Sequence, residues 1–248
     1  MRHYVLTRSA YGPAWDLEAN QRRLAVTAGV TVAGMAAQSF RDWLWIVALD
    51  RTDPLRGERR AVFESAGVPV AFIDVASASG RSGAAFEAYR ADWNGVIGER
   101  FEKVAMTRLD DDDALAPWAL GKVADIATRI RIRSALVLPR GLRVYNGRFT
   151  IVRHDSNAMQ TLVTPIGDTM HVYAYPHREV RKVAELIKID HRIGWVWSRH
   201  EDTISGWHSA DVPISPRFRD MFPIDWSLFG EAEPGKVVRL GLRGAYFR

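Results

Sequence analysis

The chain has 248 residues, 47% of them hydrophobic and 25% charged, with no cysteine and a net charge of +5. That balance fits a globular protein able to bury a core, and it excludes a disordered, collagen-like or fibrous chain. Without cysteine there is no disulfide framework, thiolate nucleophile or thiolate metal site, and a reducing, cytoplasmic setting is expected.

No apolar window reaches the roughly 18 residues of a membrane-spanning helix. The N-terminal apolar piece turns polar at Thr7-Arg8, too soon for a signal peptide. The basic excess suits an anionic partner: nucleic acid, a membrane surface or a phosphorylated small molecule. The arginines are scattered, however, from Arg22-Arg23 through Arg59-Arg60 to Arg129, Arg131 and Arg133. Nucleic acid is therefore not the expected partner, while peripheral membrane contact stays open.

In chain order, Tyr4-Val5-Leu6 reads as a short strand, and residues 15–28 as a helix with Leu17, Leu24 and Ala28 on one face. Trp43 to Leu49 is a continuous apolar run closed by Asp50, the pattern of a strand buried on both faces. Pro54 opens a helix bearing Leu55, Val62 and Ala66, stopped by Gly67, and Val68 to Val75 is a further strand. A loop rich in Ser and Gly over 77–83 and a helix over 84–101 follow. Lys103 to Thr107 is a strand running into four aspartates, and Pro117 marks the first turn of a helix whose inner face carries Val123, Ile126, Ala127 and Ile130. This alternation predicts an α/β fold with a mostly parallel sheet flanked by helices. Beyond it, Leu142–Tyr145, Phe149–Val152 and Val172–Tyr175 read as strands, with Asn146-Gly147 as a hairpin turn. A short amphipathic helix is expected over 178–188, then an aromatic segment over 193–208.

Ligands of such sheets bind beyond the carboxyl ends of the strands, where Thr7, Asp50 and Asp110 all fall. The sharpest feature is Thr107-Arg108-Leu109-Asp110-Asp111-Asp112-Asp113-Ala114-Leu115. Adjacent carboxylates repel one another, and a cation commonly offsets that cost. Oxygen ligands suit hard ions such as Mg²⁺ or Mn²⁺. At i, i+2 spacing, Asp110 and Asp112 are placed to approach one metal-bound diphosphate. The plainer alternative is a solvated acidic turn with Asp113 capping the next helix.

The stretch Arg108 to Leu115 resembles the D-x-D region of glycosyltransferases with the GT-A (nucleotide-diphospho-sugar transferase) fold. It is most similar to a bacterial family of putative rhamnosyltransferases. Leu6-Thr7-Arg8, Ala37-Gln38-Ser39-Phe40 ahead of Trp43–Asp50, and Trp197-Ser198-Arg199-His200 resemble further family motifs in the same order. The resemblance implies one domain, with residues 1–115 as a nucleotide-binding half and 116–248 as a β-rich acceptor-side half. It implies a nucleotide-diphosphate sugar donor, Mn²⁺ or Mg²⁺, and a glycan, lipid-linked or protein acceptor. By the same resemblance Asp50 reads the nucleobase, or else caps the Pro54 helix. Thr7 and Arg8 border base and ribose, Asp110 faces ribose or metal, Asp112 binds the metal, and Asp111 sits at the variable, solvent-exposed position. Arg108 contacts the diphosphate or holds the aspartates, and His200 completes the metal site.

An inverting reaction also needs a base for the acceptor hydroxyl, and Asp155, Asp168, Asp190 and Asp202 are candidates between which the sequence does not choose. Trp195, Trp197 and Trp207, with Tyr173 and Tyr175, are either sugar platforms or packing residues. Two other classes stay open. A metal-dependent nuclease or phosphohydrolase would share the acidic cluster and basic surface. A nucleotide-sugar nucleotidyltransferase would carry a Gly-rich basic loop after the first strand, which Ser9-Ala10-Tyr11-Gly12-Pro13 matches poorly.

Overall fold

The computed structural model describes residues 1–9, 16–75, 102–165, 172–173, 177–190, 192–198, 212–213 and 216–231. The expected Ser/Gly loop over 77–83 and the helix over 84–101 lie outside these residues.

The apolar runs become the middle of a seven-stranded sheet. Strands β1 (Arg2–Ser9), β2 (Leu44–Asp50), β3 (Val70–Val75) and β4 (Lys103–Arg108) are followed by the two-residue β5 (Ala114–Leu115). Then come β6 (Ser134–Val137), β7 (Arg140–Tyr145), β8 (Arg148–Arg153) and β9 (Thr161–Pro165). Strands β10 (Glu185–Lys188), β11 (Ile193–Ser198) and β12 (Val212–Pro213) complete the series. The large sheet runs β10-β6-β9-β4-β1-β2-β3, and a five-stranded sheet runs β12-β8-β7-β11-β5. In the large sheet β1, β2, β3 and β4 are mutually parallel, as are β6 and β10. Only β9, between β4 and β6, runs against its neighbours. The fold is mixed α/β with a largely parallel central sheet.

The first helix is longer than its apolar spacing suggests. It begins as α1 (Leu17–Val26), capped by the Asp16 carboxylate, passes through a π-helical stretch (Thr27–Val32) and ends as α2 (Ala33–Ala36). Its inward face is Asn20, Val26, Thr27, Val30 and Thr31, and Leu17 is exposed. The carbonyl of Gly29 in the π stretch accepts a hydrogen bond from the Asp225 N–H at 2.8 Å. A Cβ at Gly29 would stand 2.5 Å from Leu228 Cδ1 and 3.0 Å from Asp225 Cβ, so a larger residue there would require the exposed Leu228 side chain to turn away. Helices α3 (Arg56–Glu64), α4 (Ala119–Arg129) and α5 (Pro216–Met221) complete the set used below. On α4 Val123 and Ala127 are buried as the spacing predicts, joined by Leu120 and Ala124.

The principal core joins β1, β2, the long first helix and α3 to the five-stranded sheet, with Trp43, Trp45, Trp195, Phe218 and Phe222 among its members. A second cluster, including Tyr4, Leu6, Met106, Val172 and Tyr173, covers the opposite face.

Three expectations are corrected. Residues 178–188 are not a helix but a 3-10 turn (Val180–Lys182) followed by β10, which pairs in parallel with β6. A segment this short takes its conformation from the free edge it meets. Val172 and Tyr173 lie in a turn, held by burial and not by a strand ladder. After the acidic run the chain enters β5, paired to β11, before α4 begins. The Asn146-Gly147 turn is as expected, with φ of 45° and 65°, the left-handed pair that a tight hairpin between β7 and β8 requires.

Candidate active site

The chain builds β1, β2 and β3 towards one edge, then returns to place β4 on the other side of β1. Connections leaving β1 and β4 therefore diverge, which opens a crevice at their carboxyl ends. The Leu109 N–H donates to the Leu6 carbonyl at 3.0 Å, and the Asp113 N–H closes a turn on the Asp110 carbonyl at 3.2 Å. The four aspartates thus form a tight turn at the switch point of the sheet.

Their carboxylates leave in four directions. Asp110 receives a bidentate pair from Arg108, Nε to Oδ1 at 3.1 Å and Nη2 to Oδ2 at 3.0 Å. Burial alone would raise its pKa, but Arg108, Arg8 and Arg23 outweigh burial and bring it down to about 2. Asp111 is fully buried, not the solvent-exposed residue of the sequence reading. Ser9 Oγ donates to its Oδ2 at 2.7 Å, and Arg23 on α1 donates to its Oδ1 at 2.5 Å. Burial pushes this carboxyl up, and Arg23, aided by Arg59 and the Ser9 hydroxyl, holds it below the usual carboxylate range. Asp113 does not cap α4; its Oδ1 accepts the Ser198 N–H of β11 at 3.0 Å and so ties the turn to the second sheet. Asp112 is buried, with Arg23 Nη2 at 3.6 Å from its Oδ2.

At the end of β2, Asp50 is buried and its Oδ1 accepts from the Thr52 N–H and hydroxyl at 2.8 and 2.7 Å. Its Oδ2 is buried, with no hydrogen-bond partner among the described residues. Asp50 does not cap the Pro54 helix. Asp53 organises that turn, accepting from the Leu55 N–H at 2.9 Å. Thr7, expected to border base and ribose, turns its side chain into the core, where the hydroxyl accepts from Trp45 Nε1 at 2.9 Å. Its neighbour Arg8 faces the other way, with its guanidinium 4.6 Å from the Tyr173 ring centroid.

On the same face, the Gln160 carboxamide donates to the His177 carbonyl at 2.9 Å, and the Gln160 carbonyl accepts the Arg108 N–H at 2.9 Å. This ties the His177 turn to the end of β4. Burial, then the charge of Arg108, lowers the His177 pKa to about 4. The His154 ring lies 6.0 Å from that of His177 and 6.5 Å from that of Trp197. Trp195 is core, its Nε1 donating to the Leu138 carbonyl at 2.7 Å. Of the candidate bases, Asp155 pairs with Lys188 at 2.5 Å, and that contact chiefly lowers its pKa. Asp190 pairs with Arg192 at 3.0 Å. Asp168, Asp202 and His200 lie outside the described residues, as do Trp207 and Tyr175.

Among the described residues no group of three or more His, Asp or Glu could hold a metal ion by itself. Asp110, with both oxygens on Arg108, is poorly placed to be a direct ligand. A single carboxylate at Asp112 still fits a hard divalent cation of the kind that arrives largely coordinated by substrate phosphates.

Several site residues escaped the sequence reading: Ser9, Asn20, Arg23, Asp53 and Arg59. Arg59 and Asp53 form an ion pair at 2.7 Å with both side chains wholly buried, and Arg59 Nη2 reaches Asn20 Oδ1 at 3.3 Å. One signal was available. Arg59 stands four residues after Leu55 and four before Phe63, on the inward face of α3, and Asn20, Arg23 and Thr27 share a face of the first helix.

The family described as "Putative rhamnosyl transferase" matches residues 14–211, and the chain belongs to it. No curated protein matches. Among solved structures, S. aureus TarS aligns at a TM-score of 0.46 with 10% identity, over 80% of this chain and 37% of TarS. Mouse xyloside xylosyltransferase 1, apo form, aligns at 0.36 with 10% identity, over 60% of this chain and 54% of that one. HddC from Yersinia pseudotuberculosis aligns at 0.36 with 12% identity, over 80% and 90%. The chain spans less than two thirds of the first two. Among the described residues no helix is long and apolar enough to cross a membrane.

Proposed function

We propose that the protein transfers a sugar from a nucleotide-diphosphate donor to an acceptor hydroxyl, in a reaction that depends on Mg²⁺ or Mn²⁺. The observation that carries this reading is the acidic turn at the β1/β4 switch point, with Arg108 and Arg23 against its carboxylates and Asp113 tying it to the second sheet. Asp50 supports it: a buried carboxylate oxygen with no partner among the described residues suits an imide N–H of uracil or thymine. Asp112 would hold the cation, joined by His200. When bound, the cation supplies Lewis-acid stabilisation to the departing diphosphate. Asp110 and Arg108 keep the turn in shape, and Asp113 fixes it to the sheet that carries Trp197. The acceptor, a glycan or a lipid- or protein-linked group, would approach from the side of His154, His177 and Trp197. Residues 1–115 would serve the nucleotide and 116–248 the acceptor.

The test is a screen of purified protein against nucleotide sugars with and without Mn²⁺ or Mg²⁺, read by thermal stabilisation and by slow hydrolysis of the donor. Stabilisation by at least one nucleotide sugar that requires the cation is expected. Stabilisation by none, with cleavage of a phosphodiester substrate, would replace this reading with the nuclease alternative.

A further inference from the structure

The turn after β2 and the acidic turn after β4 are joined by a buried polar chain centred on Arg59. Its Nε donates to Asp53 Oδ2 at 2.7 Å, its Nη2 to Asn20 Oδ1 at 3.3 Å and its Nη1 to Ser9 Oγ at 3.4 Å. One guanidinium therefore touches the β2–α3 turn, the first helix and the end of β1. Arginine accepts no hydrogen bond, so a Ser9 hydroxyl that faces Nη1 sends its own proton elsewhere. Asp111 Oδ2 takes it at 2.7 Å. Asn20 also shares a face of α1 with Arg23, whose Nη2 lies 2.5 Å from Asp111 and 3.6 Å from Asp112. Arg59 thus reaches the acidic turn through Ser9 and again through α1. At its other end, the Asp53 N–H donates to the Asp50 carbonyl at 3.2 Å, and Asp53 Oδ1 holds the Leu55 N–H at 2.9 Å. The turn that presents Asp50 is held by the same guanidinium that orders the aspartates.

Ser9, Asn20, Asp53, Arg59 and Asp111 are all buried, Arg59 and Asp111 completely. A buried ion pair such as Arg59–Asp53 adds little net stability over apolar groups of the same volume, because desolvation offsets the attraction. What the guanidinium adds is direction. Its donors form one rigid planar fork, so a displacement of Asp53 turns the arms that meet Ser9 and Asn20. We propose that Arg59 is a positioning residue that couples nucleobase binding at Asp50 to cation–diphosphate binding at Asp112. The proposal rests on the nucleotide-sugar reading above. A base engaging Asp50 fixes the β2–α3 turn, and through it Asp53 and the fork. The fork sets the Ser9 hydroxyl and Asn20, and these set Asp111 and the helix that carries Arg23 towards Asp112. The Arg59 charge also acts on Asp111 directly, helping to hold its carboxyl below the usual range. Coupling between two binding sites is reciprocal, so the cation and diphosphate tighten the base by the factor by which the base tightens them.

The experiment supplies the two halves of a donor separately, as uridine and Mn²⁺–pyrophosphate. Pyrophosphate in excess Mn²⁺ is titrated calorimetrically into the full chain with and without saturating uridine, and the ratio of the two dissociation constants is the readout. Wild type is expected to give a ratio of about ten, within the usual range for coupled sites. R59K keeps a charge beside Asp53 but lacks the forked donors, and its ratio should fall to about one. S9A cuts only the route through β1 and should fall between the two. A merely structural arginine would weaken both titrations alike and leave their ratio as in wild type. Direct contact between the two ligands would survive in both variants, so a lost ratio belongs to the protein. A wild-type ratio of about one, or an R59K ratio equal to wild type, overturns the proposal. If R59K does not fold, S9A decides, and an unchanged ratio there overturns it. Binding of both ligands without coupling removes this inference and leaves the function reading intact. Coupling that R59K abolishes, with no glycosyl transfer from any nucleotide sugar, removes the function reading alone. Binding of neither ligand removes both.

Discussion

Asp111→Asn removes one charge from the centre of the acidic turn and leaves its partner behind. Asp111 is wholly buried, and its oxygens take hydrogen bonds from Ser9 and Arg23. Breaking a buried ion pair from one side costs about 3–5 kcal/mol, since the surviving charge stays desolvated. The Arg23 side chain is 20% exposed, so water recovers part of that, and the cost falls near the lower end, about 3 kcal/mol. In a chain of this size each kcal/mol moves Tm by roughly 2–4 °C, so a drop of about 6–12 °C is expected. Circular dichroism melts with urea titrations at neutral pH measure it. The orphaned Arg23 has a second carboxylate 3.6 Å away, at Asp112, and should turn to it. Cation-dependent nucleotide binding should then weaken even below the melting range. The double variant D111L/R23M, which exchanges the pair for apolar groups, should recover most of the stability without recovering binding. A D111N protein that melts within about 1 °C of wild type would refute the reasoning, because it would mean that the pair contributes nothing to holding the turn.

Asp112→Asn should abolish the tightening of nucleotide-diphosphate binding by Mn²⁺ and leave the melting temperature unchanged, as read by calorimetry and thermal melts; retained metal dependence refutes the assignment. Asp50→Ala should weaken UDP or dTDP binding by about 1–3 kcal/mol, the usual loss for a hydrogen bond to a charged group; loss of stability without loss of affinity would reduce Asp50 to its turn with Thr52. His3, buried against the Thr107 hydroxyl at 2.7 Å, has its pKa lowered by burial from 6.5 to about 3. Its folded value lies below its unfolded one, so this stabilisation is complete above pH 6.5 and is lost as pH falls towards 3. About 2 kcal/mol should be gone at pH 5, and H3Q should flatten the slope of urea stability against pH between 6.5 and 5; parallel slopes would refute it. Gly141→Ala would place a Cβ 2.1 Å from the Trp195 ring and should cost about 1–3 kcal/mol or more, visible in tryptophan fluorescence and Tm.

The parallel strands were legible because their sequences are continuous apolar runs ended by polar residues, as in Trp43 to Asp50. The acidic turn was legible because four like charges at a strand end need an explanation. What each aspartate does was not. Asp111 and Asp112 are identical in one dimension, and only the arrival of α1 sets one 2.5 Å and the other 3.6 Å from the same Arg23 guanidinium. Arg23 and Arg59 read as surface charge because a count of arginines ignores the helix face they occupy. The 178–188 segment failed for a different reason. Its apolar residues fit either period over so short a length, and an open sheet edge beside β6 decided in favour of a strand.

The contact between the Gly29 carbonyl and the Asp225 amide also bears on the order in which the molecule can become active. The helix whose Arg23 governs the acidic turn is backed by Trp226, Phe229 and their neighbours, residues that a ribosome delivers long after that helix has emerged. A nascent chain that has completed β4 holds all four aspartates but has no fixed wall behind the arginine that pairs with Asp111. On the proposed function, donor capture would be a late event in the life of the polypeptide, and nucleotide binding would report that residues 216–229 have come home.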